Sequence, residues 1–193
     1  MSGGGLAEIF EDVLNSQIEK QKSGSRWKPD SRFARARNEL QPDSRGQVGE
    51  EFVAAVLTRL GHSVKNKQTT DPENKQWDLV VDEKHRWEIK TATMGKKSSN
   101  FQHENIYKER GYHGIIFVDI APDDLYISFV PKHKIPWKNL HRRKDSNFYK
   151  WDFSVQKIKN CKMAVLADFR RGYDSAVALI DAHLEKMRDP HDI

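Results

Sequence analysis

Cysteine is almost missing from this chain. The single residue, Cys161, excludes an internal disulfide and a cysteine-built zinc cluster, and it fits a reducing compartment. No run of about 18 apolar residues is present, so no membrane span is expected. The opening Met1-Ser2-Gly3-Gly4-Gly5 has neither a charged n-region nor an apolar h-region and does not read as a signal peptide. A cytoplasmic location is the resulting expectation. Internal repeats and long low-complexity tracts are also missing, which excludes solenoid and fibrous architectures. What remains is a chain of 193 residues, 37% hydrophobic and 32% charged, enough for one core with a modest appendage. A net charge of +5 leans mildly toward polyanionic partners.

The most informative stretch runs from Trp77 to Thr93. Two runs rich in aromatic and β-branched residues, Trp77 to Val81 and Trp87 to Thr93, flank five polar residues, which is the pattern of a β-hairpin. Side chains alternate along a strand, so Glu88 and Lys90 share one face while Trp87 and Ile89 share the other. Asp78 opens the partner strand and can project toward Glu88. Two carboxylates and an ammonium then meet at one end of a small sheet. Magnesium binds through one or two carboxylates plus water and substrate phosphate. Such an ion polarises a phosphodiester and activates water, so these groups suit phosphodiester hydrolysis. A surface hairpin with charged outer positions is the competing reading.

The second informative stretch is Arg45 to Leu60. Phe52, Val53, Val56, Leu57 and Leu60 fall on one helical face, with Glu50 at its edge and Glu51 pointing away into solvent. Gly46 and Gly49 allow close approach at the helix start, and Gly61 stops the helix. A short strand over His62 to Lys65 and a polar loop, Asn66 to Gln76, lead into the hairpin.

Gly49-Glu50 at a helix start, Asp78 on a strand and Glu88-Ile89-Lys90 on the next strand together resemble the PD-(D/E)XK nuclease superfamily, over about Gly46 to Val130. The sequence departs from the name-giving motif in carrying Trp77 where proline is usual, and the interval from Asp78 to Glu88 is short. The resemblance implies an α/β, restriction-endonuclease-like core: a mixed β-sheet flanked by α-helices. It implies a magnesium-dependent endodeoxyribonuclease, with manganese as a substitute. Asp78, Glu88 and Glu50 would be the metal-binding acids, with Ile89 beside them, and Lys90 would orient the attacking water. The lean is to a small type II restriction enzyme cutting double-stranded DNA as a homodimer. A structure-selective or repair nuclease on the same core, and a non-catalytic DNA-binding module, are the alternatives.

Residues 1–45 read as an amino-terminal helix, with apolar positions Leu6, Ile9, Phe10, Val13, Leu14 and Ile18, followed by a basic arm carrying Arg32, Arg35 and Arg37. Residues 46–193 read as the nuclease-type domain with a carboxy-terminal helix. Three further segments are candidate DNA contacts. One is a polar loop holding Lys96, Lys97, Ser98 and Asn100. Another is a segment read as helical over Phe101 to Arg110, carrying Gln102 and His103, the histidine taken as a phosphate or packing contact. The third is a basic, aromatic region around Arg142, Arg143 and Lys144. An ordinary turn is the alternative for the first, and a charged connection over the core explains the third equally well. Gly114 to Asp119 reads as a buried central strand, Leu125 to Val130 as its neighbour, Lys162 to Ala167 as a late strand and Ser175 to Met187 as a last helix.

Overall fold

The longest helix of the described residues forms where the sequence supplies both its signals. Gln41 is extended, Pro42 occupies the first turn without needing its missing N–H, and the helix runs through Pro42–Arg59 as α3. It begins almost a turn before the expected start at Arg45. Gly61, at φ 92°, donates to the Thr58 carbonyl while His62 donates to that of Leu57. This paired closure needs a left-handed residue, which glycine supplies without a Cβ penalty.

A computed structural model describes residues 5–18, 27–28, 30–67, 76–95, 100–144 and 146–155. The expected strand over 162–167, the helix over 175–187, and Lys96, Lys97 and Ser98 lie outside the described residues. Two helices precede α3: α1 (Leu6–Ile18) and α2 (Ala34–Asn38). The apolar stripe of α1 turns inward, with Phe10, Leu14 and Ile18 buried. Phe10 stands edge-on to Phe33 at 5.3 Å and to Phe52 at 5.2 Å. Residues from both sides of residue 45 share one hydrophobic cluster.

Among the described residues eight strands follow: β1 (Val64–Asn66), β2 (Leu79–Val81), β3 (His85–Thr93), β4 (Asn100–Tyr107), β5 (Gly114–Ile120), β6 (Leu125–Pro131), β7 (His141–Arg142) and β8 (Phe148–Ser154). Five build a mixed sheet in the order β1-β2-β3-β5-β6. The β3–β5 pair is parallel, and the others are antiparallel. The protein is thus α/β with a mixed sheet and flanking helices. α1 to α3 pack against one face, over Leu79, Trp87, Ile89, Ile116, Val118 and Ile127. The other face carries Ile115, Phe117, Tyr126 and Val130, and it is covered by a second sheet of order β4-β8-β7 through Phe101, Ile106 and Trp151.

The expected hairpin is present, with a tighter turn than the five polar residues suggest. His85 and Arg86 belong to β3, and the reversal is made by Asp82 and Glu83, at φ 50° and 61°. Two successive positive φ values suit the right-handed twist of a hairpin. The Asp82 carboxylate takes up the local donors, accepting from the Ser63 N–H at 3.0 Å and lying 2.8 Å from His62 Nδ1.

Phe101 to Arg110 is not helical. Residues 100–107 are β4, paired with β8. His103 faces Trp151 and Ile106 faces Tyr149, so β4 has one residue more than its partner between these pairs. That extra residue is a β-bulge, and Asn105, at φ 56°, lies within it.

Candidate active site

The candidate site forms where β2 and β3 part. Leu79 pairs with Trp87, but beyond that point β2 ends while β3 continues. The Ile89 N–H therefore has no strand partner on that side. Asp78 fills the gap: its Oδ2 accepts from the Ile89 N–H at 2.7 Å, and its own N–H donates to the Trp87 carbonyl at 2.8 Å. Asp78 is consequently fixed beside Glu88 and buried.

Glu88 and Lys90 share the face of β3 directed at the second sheet, and Glu88 is 1% exposed. Lys90 Nζ lies 2.6 Å from Glu88 Oε1, and Arg110 Nη1 donates to the same oxygen at 3.0 Å. Glu88 Oε2 is buried with no hydrogen-bond partner. Burial raises the Glu88 pKa; Lys90 opposes that rise, and the charge of Asp78 adds to it. Ile89 turns its side chain into the helix-side core, leaving only its backbone toward the site.

Glu50 reaches the same place from α3. The helix can lie close to β3 because Gly49 sits against Thr91, where a Cβ would come within 1.8 Å of Oγ1. Gly46, by contrast, faces open space, so the expected close approach is made by Gly49 alone. Burial, then the charge of Asp78, pushes the Glu50 carboxyl up to about 7. Glu51 is not simply solvated. It accepts hydrogen bonds from Gln17 of α1 at 2.7 Å and from Gln47 at 3.0 Å, and so joins the two helices.

Two cations at the site carried no signal in the sequence. Lys67, just past β1, donates to Asp78 Oδ1 at 2.6 Å and to Glu50 Oε1 at 3.3 Å. Burial works to lower its pKa, but the bond to Asp78 and the two negative charges outweigh it and raise the value. Arg110 lies beside Glu88 and over the Tyr107 ring, 4.0 Å from its centroid. Lys67 stands in a run of polar residues and Arg110 in a turn, so neither has a periodicity that would mark it.

The acids form a hard-oxygen set suited to a divalent ion. Among the described residues, no three acidic, histidine or cysteine side chains surround an ion by themselves. Magnesium does not require that, since one or two carboxylates plus water and substrate phosphate suffice. Glu88 Oε2, buried and without a hydrogen-bond partner, is an acceptor open to such an ion, whereas Asp78 Oδ1 and Glu50 Oε1 are already held by Lys67.

The candidate DNA contacts divide by exposure. Gln102, Arg142, Arg143 and Lys144 are exposed, and Asn100 is half-buried. Arg32 and Arg35 make surface ion pairs with Glu11 and Glu39. Arg37 turns inward to donate to Thr93 Oγ1 at 2.7 Å. Of the two readings of His103, the structure fits the packing contact and not the phosphate contact. The histidine is 2% exposed, lies 2.8 Å from the fully buried Asp119 and stands edge-on to Phe117. A side chain enclosed between two sheets has no surface to offer a phosphate. No helix of the described residues is long and apolar enough to cross a membrane.

No family model and no curated protein matches this chain. Among solved structures it is similar to a bacterial homing endonuclease, at 11% identity and a TM-score of 0.46, over 77% of this chain and 99% of that one.

Proposed function

We propose that this protein is a divalent-cation-dependent endodeoxyribonuclease, acting as a sequence-specific enzyme of the type II restriction kind. The observation that carries the reading is convergence. Glu50 from α3 and Asp78 from just before β2 share the Lys67 ammonium, Asp78 is bonded to the Ile89 N–H between Glu88 and Lys90 of β3, and burial and one another's charge raise the pKa of Glu50 and of Glu88. Asp78 and Glu88 would hold magnesium or manganese, with Glu50 as a third acid. A bound ion supplies Lewis-acid polarisation of the scissile phosphate and a lowered pKa for water. Asp78 keeps its carboxylate in place through the Ile89 N–H. Lys90, fixed on Glu88 at 2.6 Å, presents an ammonium that orients the attacking water. Arg142, Arg143 and Lys144 at the end of the second sheet, with Gln102, Arg32 and Arg35 on other exposed surface, offer cations and amides to backbone phosphate. A homodimer places two such sites on the two strands of a palindrome.

Incubation with long mixed-sequence duplex DNA and magnesium, with calcium as the control ion, tests this reading. Discrete fragments establish sequence-specific cleavage, and cutting confined to junctions or flaps moves the assignment to a structure-selective nuclease. Intact DNA under magnesium and under manganese would remove the enzymatic reading.

A further inference from the structure

Three carboxylates at the site face three of the chain's own cations. Lys90 and Arg110 share one oxygen of Glu88, so they occupy the flank of the acid cluster and leave Glu88 Oε2 bare. Lys67 is placed differently. Its ammonium bridges two acids from separate elements, 2.6 Å from Asp78 and 3.3 Å from Glu50. That is the position of a shared ligand, not of a flanking ion pair. The two acids come from the middle of α3 and from just before β2, and α3 and β1 pack together, so the bridge ties the helix to the ends of two strands. The Lys67 backbone N–H also donates to the Asp78 carbonyl at 3.0 Å, which fixes the root of the side chain beside its partner. Lys67 is about one-third exposed, so its ammonium can leave for water, whereas Asp78 and Glu88 cannot move out of the interior.

We propose that Lys67 is a positioning residue of the site, a tethered monovalent cation that stands between Glu50 and Asp78 and competes there with a divalent ion. The inference rests on the nuclease reading of these acids. In the ion-free protein the ammonium holds the two carboxylates in a common orientation and offsets their repulsion. Binding of a divalent ion requires the ammonium to withdraw toward solvent, where it becomes a free donor beside the substrate phosphate.

The test is manganese binding to the full chain without DNA, read at pH 8 by calorimetry and by loss of the free-ion electron paramagnetic resonance signal. Removing a competing charge should tighten binding by the size of a typical coupling between two ligands, roughly 5-fold to 150-fold. Lys67→Met and Lys67→Gln are expected to fall in that range, and Lys67→Arg, which keeps the charge, to bind as the wild type does. The glutamine variant keeps a donor to the acids and guards against loss of folding in the methionine variant. Equal or weaker binding in both neutral variants overturns the role of Lys67 while leaving the metal site standing. If the wild type binds no manganese, or if Glu88→Gln binds it equally well, the reading of the acids fails and the competition fails with it.

Discussion

The carboxylate of Asp78 and the backbone N–H of Ile89, 2.7 Å apart, join the fold to the site. The bond does structural work, because it satisfies a buried donor where β2 runs out. It also leaves the second oxygen of Asp78 for a cation. The two roles are separable by substitution. Asp78→Ala leaves the Ile89 N–H buried without an acceptor and should cost about 1–3 kcal/mol. Asp78→Asn keeps an oxygen for that N–H and should recover most of the loss, as read from urea midpoints. Both variants are expected to lose cleavage. An alanine variant as stable as the asparagine variant would show that the bond contributes nothing to the fold.

Glu88 and Lys90 form the second separable pair. Arg110 remains on Glu88 when Lys90 is removed, so Lys90→Ala should fold with its acid still paired. Glu88→Gln is close to isosteric and keeps the burial. Both are expected to abolish cleavage while leaving duplex binding, measured by fluorescence anisotropy, within about 3-fold of the wild type, since exposed phosphate contacts carry most of the affinity. Cleavage at the wild-type rate by either variant would remove these residues from the chemistry.

Glu50 should leave a signature in pH dependence. Its carboxyl is pushed up to about 7 in the folded protein, by burial first and by Asp78 second, against a reference value of 4.5. Between those values the folded state holds a proton that the unfolded chain has released. The contribution of Glu50 to stability is therefore present at low pH, declines as pH climbs through that window and is flat above it. Glu50→Gln removes the decline, so its stability relative to the wild type should improve steadily from about pH 5 to about pH 8. A difference between the two urea midpoints that does not change with pH would contradict the burial of Glu50 beside Asp78. In cleavage, Glu50→Ala should lose more than Glu51→Ala, because Glu51 joins α1 to α3 through Gln17 and does not face the site.

The contrast between β3 and β4 explains what the sequence discloses. In β3 the alternation is intact: Trp87 and Ile89 face the helices, Glu88 and Lys90 face the other sheet, and the motif is readable because no residue is inserted. In β4 the same period is broken. Phe101 and His103 face inward, then the bulge near Asn105 delays the next inward residue to Ile106. The apolar spacing becomes five, which hides the period of two, and the one inward residue between them that would have kept the alternation visible is a histidine. Burying a histidine needs a partner, and Asp119 arrives from a strand remote in sequence. Lys67 escapes sequence reading for a related reason: its meaning lies in two acids, 17 positions before it and 11 after it. Periodicity registers which face a residue occupies, whereas ion pairing across elements depends on topology.

Gly49 offers a mechanical test of how Glu50 is placed. A Cβ there would lie 1.8 Å from Thr91 Oγ1 and 3.0 Å from its Cβ, distances that no relaxation of the hydroxyl alone removes. Gly49→Ala should force α3 away from β3 and cost about 1–3 kcal/mol, the usual range for overpacking. Pairing it with Thr91→Gly removes the colliding atoms and should restore part of both stability and cleavage. If the single variant is as stable as the wild type, α3 does not rest on β3 at this point.

The pair made by His103 and Asp119 separates packing from DNA contact. Both side chains are fully enclosed, with His103 Nε2 2.8 Å from Asp119 Oδ1, and burial raises the Asp119 pKa despite the opposing pull of the imidazole. His103→Ala leaves the Asp119 carboxyl buried between two sheets without this partner, and leaving a buried polar group unsatisfied costs about 1–3 kcal/mol. Replacing both members by leucine removes both buried polar groups together and should cost less than the single change, because replacing both partners of a buried polar pair by apolar groups of the same shape can be nearly neutral. Duplex affinity of the double variant should equal that of the wild type, since neither side chain reaches the surface. A single variant as stable as the wild type would mean that Asp119 is already satisfied by other donors. A double variant that folds but binds DNA more weakly would return His103 to the interface.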